Sequence, residues 1–165
     1  PPDLATMEPT LLGKAQIDRL IQMLKYSDAS FKIVATGGQF LNTAAVFENY
    51  ATFPEERQQL IDRIAKEGIT GVIFLTGDRH FSELSRLELP DGNVIHDLTV
   101  SPMTSGPYAR KETNALSVPG TYADQHAFAT LRFSGPKKER VLTMALHDTE
   151  GKLLWKNELK APAKR

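Results

Sequence analysis

The sequence feature that most constrains the fold is a short apolar run, residues 72–75, followed closely by the polar turn Gly77-Asp78-Arg79-His80. A short apolar run bounded by turn residues is typical of a strand that is buried on both faces. Such a strand needs a covering layer on each side, either helices or a second sheet. The run therefore predicts a layered α/β domain in which polar side chains leave the carboxyl end of a buried strand.

Composition sets the broad class of the protein. Its 165 residues are enough for one domain, and a domain of this size buries roughly 70% of the surface that its unfolded chain exposes. The 20 Lys and Arg residues balance the 20 Asp and Glu residues, so there is no basic field for a nucleic-acid scaffold. The absence of cysteine excludes disulfides and thiolate chemistry. No apolar run is long enough for a membrane span.

The first half of the chain alternates helical and strand patterns. Residues 14–25 carry apolar side chains at helical spacing and predict an amphipathic helix, and residues 31–36 predict a short strand before a Gly-Gly turn. A second helix is predicted at residues 54–67, because Pro54 suits the first helical position and acidic residues follow it. A helix between two strands indicates a parallel pair joined by a crossover.

The second half predicts antiparallel strands. Two alternating runs flank Asp91-Gly92, a dipeptide typical of a tight hairpin turn. The polar loop at residues 101–124 has a length typical of functional or disordered segments. Three later runs, AFATLRFSG, RVLTMALHD and KLLWKNELK, are joined by short turns and predict an antiparallel meander. We therefore expect a mixed α/β fold with antiparallel strands in its second half.

The carboxyl end of the buried strand is the candidate site. Ligands of open α/β sheets bind at this edge, and a turn there can direct Asp78 and His80 toward one cavity. A carboxylate and an imidazole together suit iron, manganese or zinc, and calcium when more oxygen ligands are present. From the residues alone a simpler interpretation stays open, in which Asp78 caps the next segment and His80 is a hydrogen-bonded surface residue. Two ligands are also fewer than a metal site needs.

Three segments, taken in order, carry a resemblance to a known family. They are LLGKAQIDRLIQMLKYSDASFKIVATGGQF, NYATFPEERQQLIDRIAKEGITGVIFLTGDRHFSEL and LTVSPMTSGP. Together they resemble the carboxyl-terminal half of the PhoD-like (alkaline phosphatase D) metallophosphatases, a branch of the calcineurin-like metallophosphoesterases. The shared features are a Gly-x-x-Gln helix start, a strand ending in Gln39, a Tyr-x-x-x-Pro-x-x-Arg helix start and the Gly-Asp-x-His turn.

The resemblance implies part of a metallophosphoesterase-type β-sandwich flanked by helices, with a two-metal site that hydrolyses phosphomonoesters or phosphodiesters. The corresponding turn of the wider superfamily is Gly-His-x-His, so the match assigns Asp78 and His80 as metal ligands and catalytic residues. A carboxylate in place of the first imidazole favours a harder metal. The family is associated with calcium and iron, and manganese or zinc are alternatives.

Four further residues near this turn or matching the family are assigned roles. Gln39 lies near a superfamily ligand position and is assigned as a further metal ligand, although closing the Gly-Gly turn is an equally good explanation. Arg79 is assigned a contact with the substrate phosphate, because its planar fork matches two oxygens, with a solvated or supporting role as the alternative. Glu83 is expected to orient His80 or only to begin the next strand. His126 resembles a family histidine, but the residues after it depart from the family pattern.

The superfamily motifs that supply the other ligands and the catalytic Asn-His pair do not occur in these 165 residues. The chain opens with PPDLATMEPTLLGKAQ, without an initiator Met, like a segment of something longer. We therefore expect residues 1–165 to form one segment, the carboxyl-terminal part of a metallophosphatase catalytic domain, which is inactive in isolation. Its expected partners are a phosphate ester and the upstream half of the same enzyme. The family implies a periplasmic or secreted location.

Two alternatives to this interpretation stay open. In the first alternative, the chain is a non-catalytic α/β module that binds a phosphate or a protein. In the second, it is a half-domain that needs a separate upstream chain. Metal affinity distinguishes the first alternative from an enzyme, and concentration-dependent association distinguishes the second.

Overall fold

A computed structural model describes residues 9–162; the opening segment, residues 1–8, and residues 163–165 lie outside the described part. The helices are α1 (Gly13–Tyr26) and α2 (Pro54–Lys66), and the strands are β1 (Lys32–Ala35), β2 (Val72–Thr76), β3 (Glu83–Glu88), β4 (Val94–Thr99), β5 (Ala127–Ser134), β6 (Val141–Asp148) and β7 (Leu153–Lys160). Short 3-10 turns lie at Tyr50–Thr52 and Lys137–Glu139. The predictions of a helix at residues 14–25 and 54–67 and of a strand at 31–36 and 72–75 are confirmed, with small differences at the ends.

Helix α1 is amphipathic, and a side chain from the other helix caps its amino terminus. Ile17 and Ile21 are buried one turn apart on the inner face. The Glu56 carboxylate of α2 accepts hydrogen bonds from the backbone amides of Leu11 and Leu12, both at 2.8 Å, and from that of Gly13, the first residue of α1, at 3.3 Å. Because the first amides of a helix have no partner within it, Glu56 satisfies donors that would otherwise be open.

Helix α2 follows the signals that its sequence carries. Pro54 occupies the start of the helix, where its missing N–H costs nothing. Leu60 and Ile64 are fully buried against the sheet and α1. Gly68 follows the helix with a φ of +62°, a left-handed conformation that favours glycine at a helix end.

The first sheet places three strand ends at one edge. Its strand order is β1-β2-β4-β3. β1 pairs in parallel with β2, and β2 pairs in parallel with β4, whereas β3 runs antiparallel to β4. Helix α2 is the predicted crossover between β1 and β2, and Asp91-Gly92 lies in the predicted hairpin turn between β3 and β4. The carboxyl ends of β1, β2 and β4 therefore meet at the same edge.

The second sheet gives the molecule its third layer. β5, β6 and β7 form the predicted antiparallel meander. The side chains of β2 alternate between two buried clusters: Phe74 packs with the helices, and Ile73 packs with the cluster that includes Leu142 and Trp155 of the second sheet. The prediction that β2 is covered on both faces is confirmed. The fold is mixed α/β, with helices on one side of the first sheet and the second sheet on the other.

The loop at residues 101–124 is fixed to the first sheet. It contains no helix or extended strand, but isolated bridges pair Ser85 with Ser117 and Ser82 with Ala123. This loop is therefore an ordered wall beside the carboxyl edge of the sheet. Neither helix within residues 9–162 has the length and apolar character needed to cross a membrane.

Candidate functional site

The turns that follow β1 and β2 are joined at the carboxyl edge of the first sheet. The Gly77 amide donates to the Gly37 carbonyl at 2.9 Å. A Cβ at Gly38 would lie 2.5 Å from the Glu48 carbonyl oxygen, so the segment that leads to α2 packs directly on this turn because position 38 has no side chain. Three segments from different parts of the chain thus converge beside the Gly-Asp-Arg-His turn.

One pocket at this edge is lined by residues whose backbone conformation is unusual for side chains other than glycine. The pocket has a volume of about 260 Å³ and is lined by Phe47, Glu48, Asp78, Arg79, His80 and Tyr108. Within residues 9–162, the only residues other than glycine with positive φ are Phe47 at 50°, Asp78 at 65° and His80 at 58°. Each such residue costs about 1–3 kcal/mol, and strain of this kind concentrates at functional sites. This pocket is therefore the candidate functional site.

Hydrogen bonds fix both the backbone and the tautomer of His80. Its Nδ1 lies 2.7 Å from the Gly106 carbonyl oxygen, and since a carbonyl only accepts, Nδ1 carries a proton. In the neutral imidazole, Nε2 is then the nitrogen with the lone pair. The His80 amide donates to Ser101 Oγ at 3.2 Å, and the His80 carbonyl accepts from the Tyr108 amide at 2.8 Å. Of the two interpretations of Glu83, the structure supports the second: Glu83 begins β3 and pairs with Arg110, and Gly106 holds the imidazole of His80.

Asp78 lies exposed in the same pocket. Its carboxylate has no hydrogen-bond or ion-pair partner within residues 9–162. A carboxylate and an imidazole in one pocket form a donor set that suits a first-row transition metal or, with more oxygen ligands, calcium. The structure thus brings Asp78 and His80 to one pocket, and metal binding by them stays a prediction.

Asp78 and His80 alone are too few ligands for a complete metal site. Across residues 9–162, no group of three or more His, Asp or Glu side chains is placed to hold a metal ion. A protein metal site ordinarily has at least three protein ligands. A metal at this pocket therefore needs further ligands from outside the described part of the chain.

Arg79 faces inward between the two strained residues. It is buried, forms an ion pair with Glu112, and donates to Asn49 Oδ1 at 2.8 Å. Its guanidinium carbon lies 5.0 Å from the centre of the Phe47 ring and 5.2 Å from that of Phe81. These contacts anchor the turn from below and direct Asp78 and His80 outward. Phosphate binding by Arg79 stays a prediction.

Gln39 is completely buried, and its side chain is already fully hydrogen-bonded. Its amide oxygen accepts from Asn42 Nδ2 at 2.7 Å and from Arg79 at 3.0 Å. Its amide nitrogen donates to Glu83 at 3.0 Å and to Thr99 at 2.8 Å. Gln39 does not line the pocket. Metal ligation by this residue, which stays a prediction, would require its oxygen to exchange one of these bonds.

Glu83 ties the loop at residues 101–124 to the sheet. This carboxylate is fully buried at the start of β3 and pairs with Arg110. It also accepts from Asn114 Nδ2 at 2.9 Å, and Asn114 in turn donates to Ser85. Because a buried charge is tolerated only when it is paired and hydrogen-bonded, these contacts hold the loop in one position.

Asp97 anchors the segment after β1 from inside the first sheet. One oxygen accepts the amides of Phe40 at 2.8 Å and Leu41 at 2.7 Å, and the other accepts the Thr76 hydroxyl at 2.7 Å. Burial raises the pKa of Asp97 to about 6, against the opposing effect of these hydrogen bonds. Asp97 therefore acts as a structural acceptor beneath the site.

The sequence motif that begins at Tyr50 is also structural. The Tyr50 hydroxyl donates to Glu56 at 2.7 Å, which supports the carboxylate that caps α1. Arg57 donates to the carbonyls of Phe40 at 2.8 Å and Leu41 at 3.1 Å. This motif therefore fixes the segment between Gln39 and α2 to both helices.

The other histidines lie outside the pocket. His96 is buried, and burial, aided by the charge of Arg86, lowers its pKa to about 4. The Nδ1 atom of His147, near the end of β6, lies 3.2 Å from the carbonyl oxygen of Gly151 in the following turn. His126 does not line the pocket.

Sequence reasoning did not single out four residues of the site: Phe47, Glu48, Tyr108 and Glu112. Phe47 is 64% exposed, whereas large aromatic side chains are usually mostly buried. Its positive φ is also rare for a bulky residue. The only sequence signal for it is a lone aromatic residue in TAAVFEN, a run otherwise made of small or polar residues and one valine. Tyr108 and Glu112 lie in the loop at residues 101–124, whose length is typical of functional or disordered segments, but no local pattern distinguishes them within it.

Comparisons with known proteins agree with this fold. The chain is similar to a solved structure titled "Structure of PhoD", with a TM-score of 0.63 and 18% sequence identity. The similarity covers 94% of this chain and 36% of that one, so the chain spans about a third of the length of that protein. A comparison with curated proteins gives no significant match. The sequence model of the PhoD-like phosphatases matches residues 2–148. Since this match covers most of the sequence, the chain belongs to the PhoD-like phosphatase family.

Proposed function

We propose that this chain supplies the carboxyl-terminal part of the catalytic domain of a metal-dependent phosphatase that hydrolyses phosphomonoesters or phosphodiesters. The observation that carries the proposal is the strained pocket, in which Asp78 is exposed and His80 is held through Nδ1, with no partner within residues 9–162 for the Asp78 carboxylate or for His80 Nε2. Family membership supports the reaction class.

Each residue of the turn has a role in this proposal. Asp78 and His80 are metal ligands, His80 through Nε2. Calcium and iron are the expected ions, with manganese or zinc as alternatives, and they supply Lewis acidity toward a phosphoryl oxygen and lower the pKa of a water molecule. Arg79, in the pocket wall, places positive charge where it offsets that of a bound phosphate. Gln39 is a further metal ligand only if its amide oxygen gives up its hydrogen bond from Asn42 or from Arg79.

The upstream half of the same enzyme is the proposed partner. β1 pairs with β2 alone within residues 9–162 and is therefore an edge of the first sheet, with Ile33 exposed on it. An edge strand presents unpaired backbone groups to another strand. We place the upstream half there, where it brings the missing metal ligands, so the chain alone is inactive. The family relationship supports a periplasmic or secreted location.

The proposal is tested by calorimetric titration of the full-length protein encoded by the gene with calcium and ferrous iron. We expect Asp78→Ala and His80→Ala each to weaken metal binding at least about tenfold. His126→Ala is the matched control and should bind like the unmutated protein. Unchanged affinity in both site variants would contradict the assignment. An intact fold without metal affinity in any form would favour a non-catalytic module that binds a phosphate or a protein.

A further inference from the structure

Phe47 is presented to solvent by a turn that is firmly fixed. The Asn49 amide donates to the Val46 carbonyl at 3.2 Å, and the Asn49 side chain donates to the Ala44 carbonyl at 3.0 Å. The same turn packs against Gly38 through the Glu48 carbonyl. A flexible segment would relax the φ of 50° at Phe47, so the structure around it holds the ring outward.

The Phe47 ring has defined neighbours in the pocket. The Arg79 guanidinium carbon lies 5.0 Å from the ring centre, and the Tyr108 ring lies 6.2 Å away at 85°. Tyr108 is in turn bound through its amide to the His80 carbonyl. The two aromatic rings are therefore fixed relative to the candidate metal ligands.

We propose that Phe47 and Tyr108, the aromatic pair, bind a neutral aromatic group of the substrate, the alcohol portion of an aryl or nucleoside phosphate ester. This inference rests on the proposed function, which places the phosphate at Asp78 and His80. An exposed, rigid ring offers a stacking surface to another ring. Glu48 lines the same pocket, and Glu112 offsets the charge of Arg79, so a group carrying further negative charge is repelled.

The test compares binding of phenylphosphonate and methylphosphonate to the calcium-loaded full-length protein by calorimetry. Stacking on one ring corresponds to a preference of about tenfold for the phenyl compound. Phe47→Gly should remove most of that preference, and glycine adopts a φ of 50° without strain, so this variant should fold. Tyr108→Ala should reduce the preference. Tyr26→Ala, an aromatic residue 82% exposed on α1, is the control and should leave it unchanged.

If Phe47→Gly kept the preference for the phenyl compound, the inference would be overturned. That result would occur if the upstream half of the enzyme covered the Phe47 ring. A different result, in which neither phosphonate binds the unmutated protein, would contradict the proposed function and not the aromatic pair. In that case saturation-transfer NMR with phenol tests the aromatic pair alone. Transfer that is lost in Phe47→Gly would support the pair as an aromatic site, and absence of transfer would overturn it.

Discussion

The ion pair between Arg79 and Glu112 holds the candidate site together, and its removal has a calculable effect. The two side chains are 3% and 12% exposed, so Glu112→Ala leaves a buried guanidinium without a counter-charge. Arg79 keeps Gln39 and Asn49 as neutral partners, which do not balance its charge. Removing one partner of a buried pair costs about 3–5 kcal/mol, and we expect about 3 kcal/mol because water can reach Glu112.

Urea unfolding of the chain measures this loss. With a slope of about 2 kcal/mol per molar urea, the midpoint should fall by about 1.5 M. Glu112→Gln, which keeps the shape of the side chain, should lie between the two proteins. Glu150→Ala removes an exposed carboxylate from the turn between β6 and β7 and should change the free energy of unfolding by less than about 0.5 kcal/mol. If Glu112→Ala matched Glu150→Ala, the pair would not hold the site.

Two further predictions concern buried carboxylates with opposite pH dependence. Burial acts to raise the pKa of Glu56, but hydrogen bonds from Tyr50 and the backbone outweigh it and lower the pKa; its stabilisation is therefore present above the unfolded pKa of about 4.3 and is lost as the pH falls. Glu56→Ala should lower the free energy of unfolding by about 2–4 kcal/mol at neutral pH and by less in acid, and equal losses at both pH values in urea titrations would refute this. Burial raises the pKa of Asp97 to about 6, above an unfolded value of about 3.9, so its contribution to stability declines as the pH rises between these values. Asp97→Asn should remove that part of the decline, and an unchanged slope between pH 4 and 6 would contradict it.

Most of the fold follows from local patterns. The helical spacing of Ile17 and Ile21, Pro54 at a helix start and the Asp91-Gly92 turn each act within a few residues, and each predicts its element correctly. The apolar run of β2 predicts burial on both faces because the side chains on each face of the strand are apolar. Element ends differ slightly because helix and strand termini depend on tertiary contacts.

The site was predictable only in part. Asp78 and His80 follow a recognisable strand, so their place at the sheet edge could be inferred. The carbonyl that orients His80 belongs to Gly106, and the counter-charge of Arg79 belongs to Glu112. Both partners lie in the long loop, whose path is set by contacts distant in sequence. The strained conformation of Phe47 likewise depends on packing against Gly38, which no local pattern shows.

The most direct test of the central claim is hydrolysis of nitrophenyl phosphate monoesters and diesters by the full-length protein loaded with calcium and iron. His80→Ala should lower kcat/KM by at least about 100-fold, since loss of a metal ligand removes the Lewis acid that the reaction needs. His126→Ala should retain full activity. Equal activity of His80→Ala and the unmutated protein would contradict the assignment of this pocket as the site of phosphate ester hydrolysis.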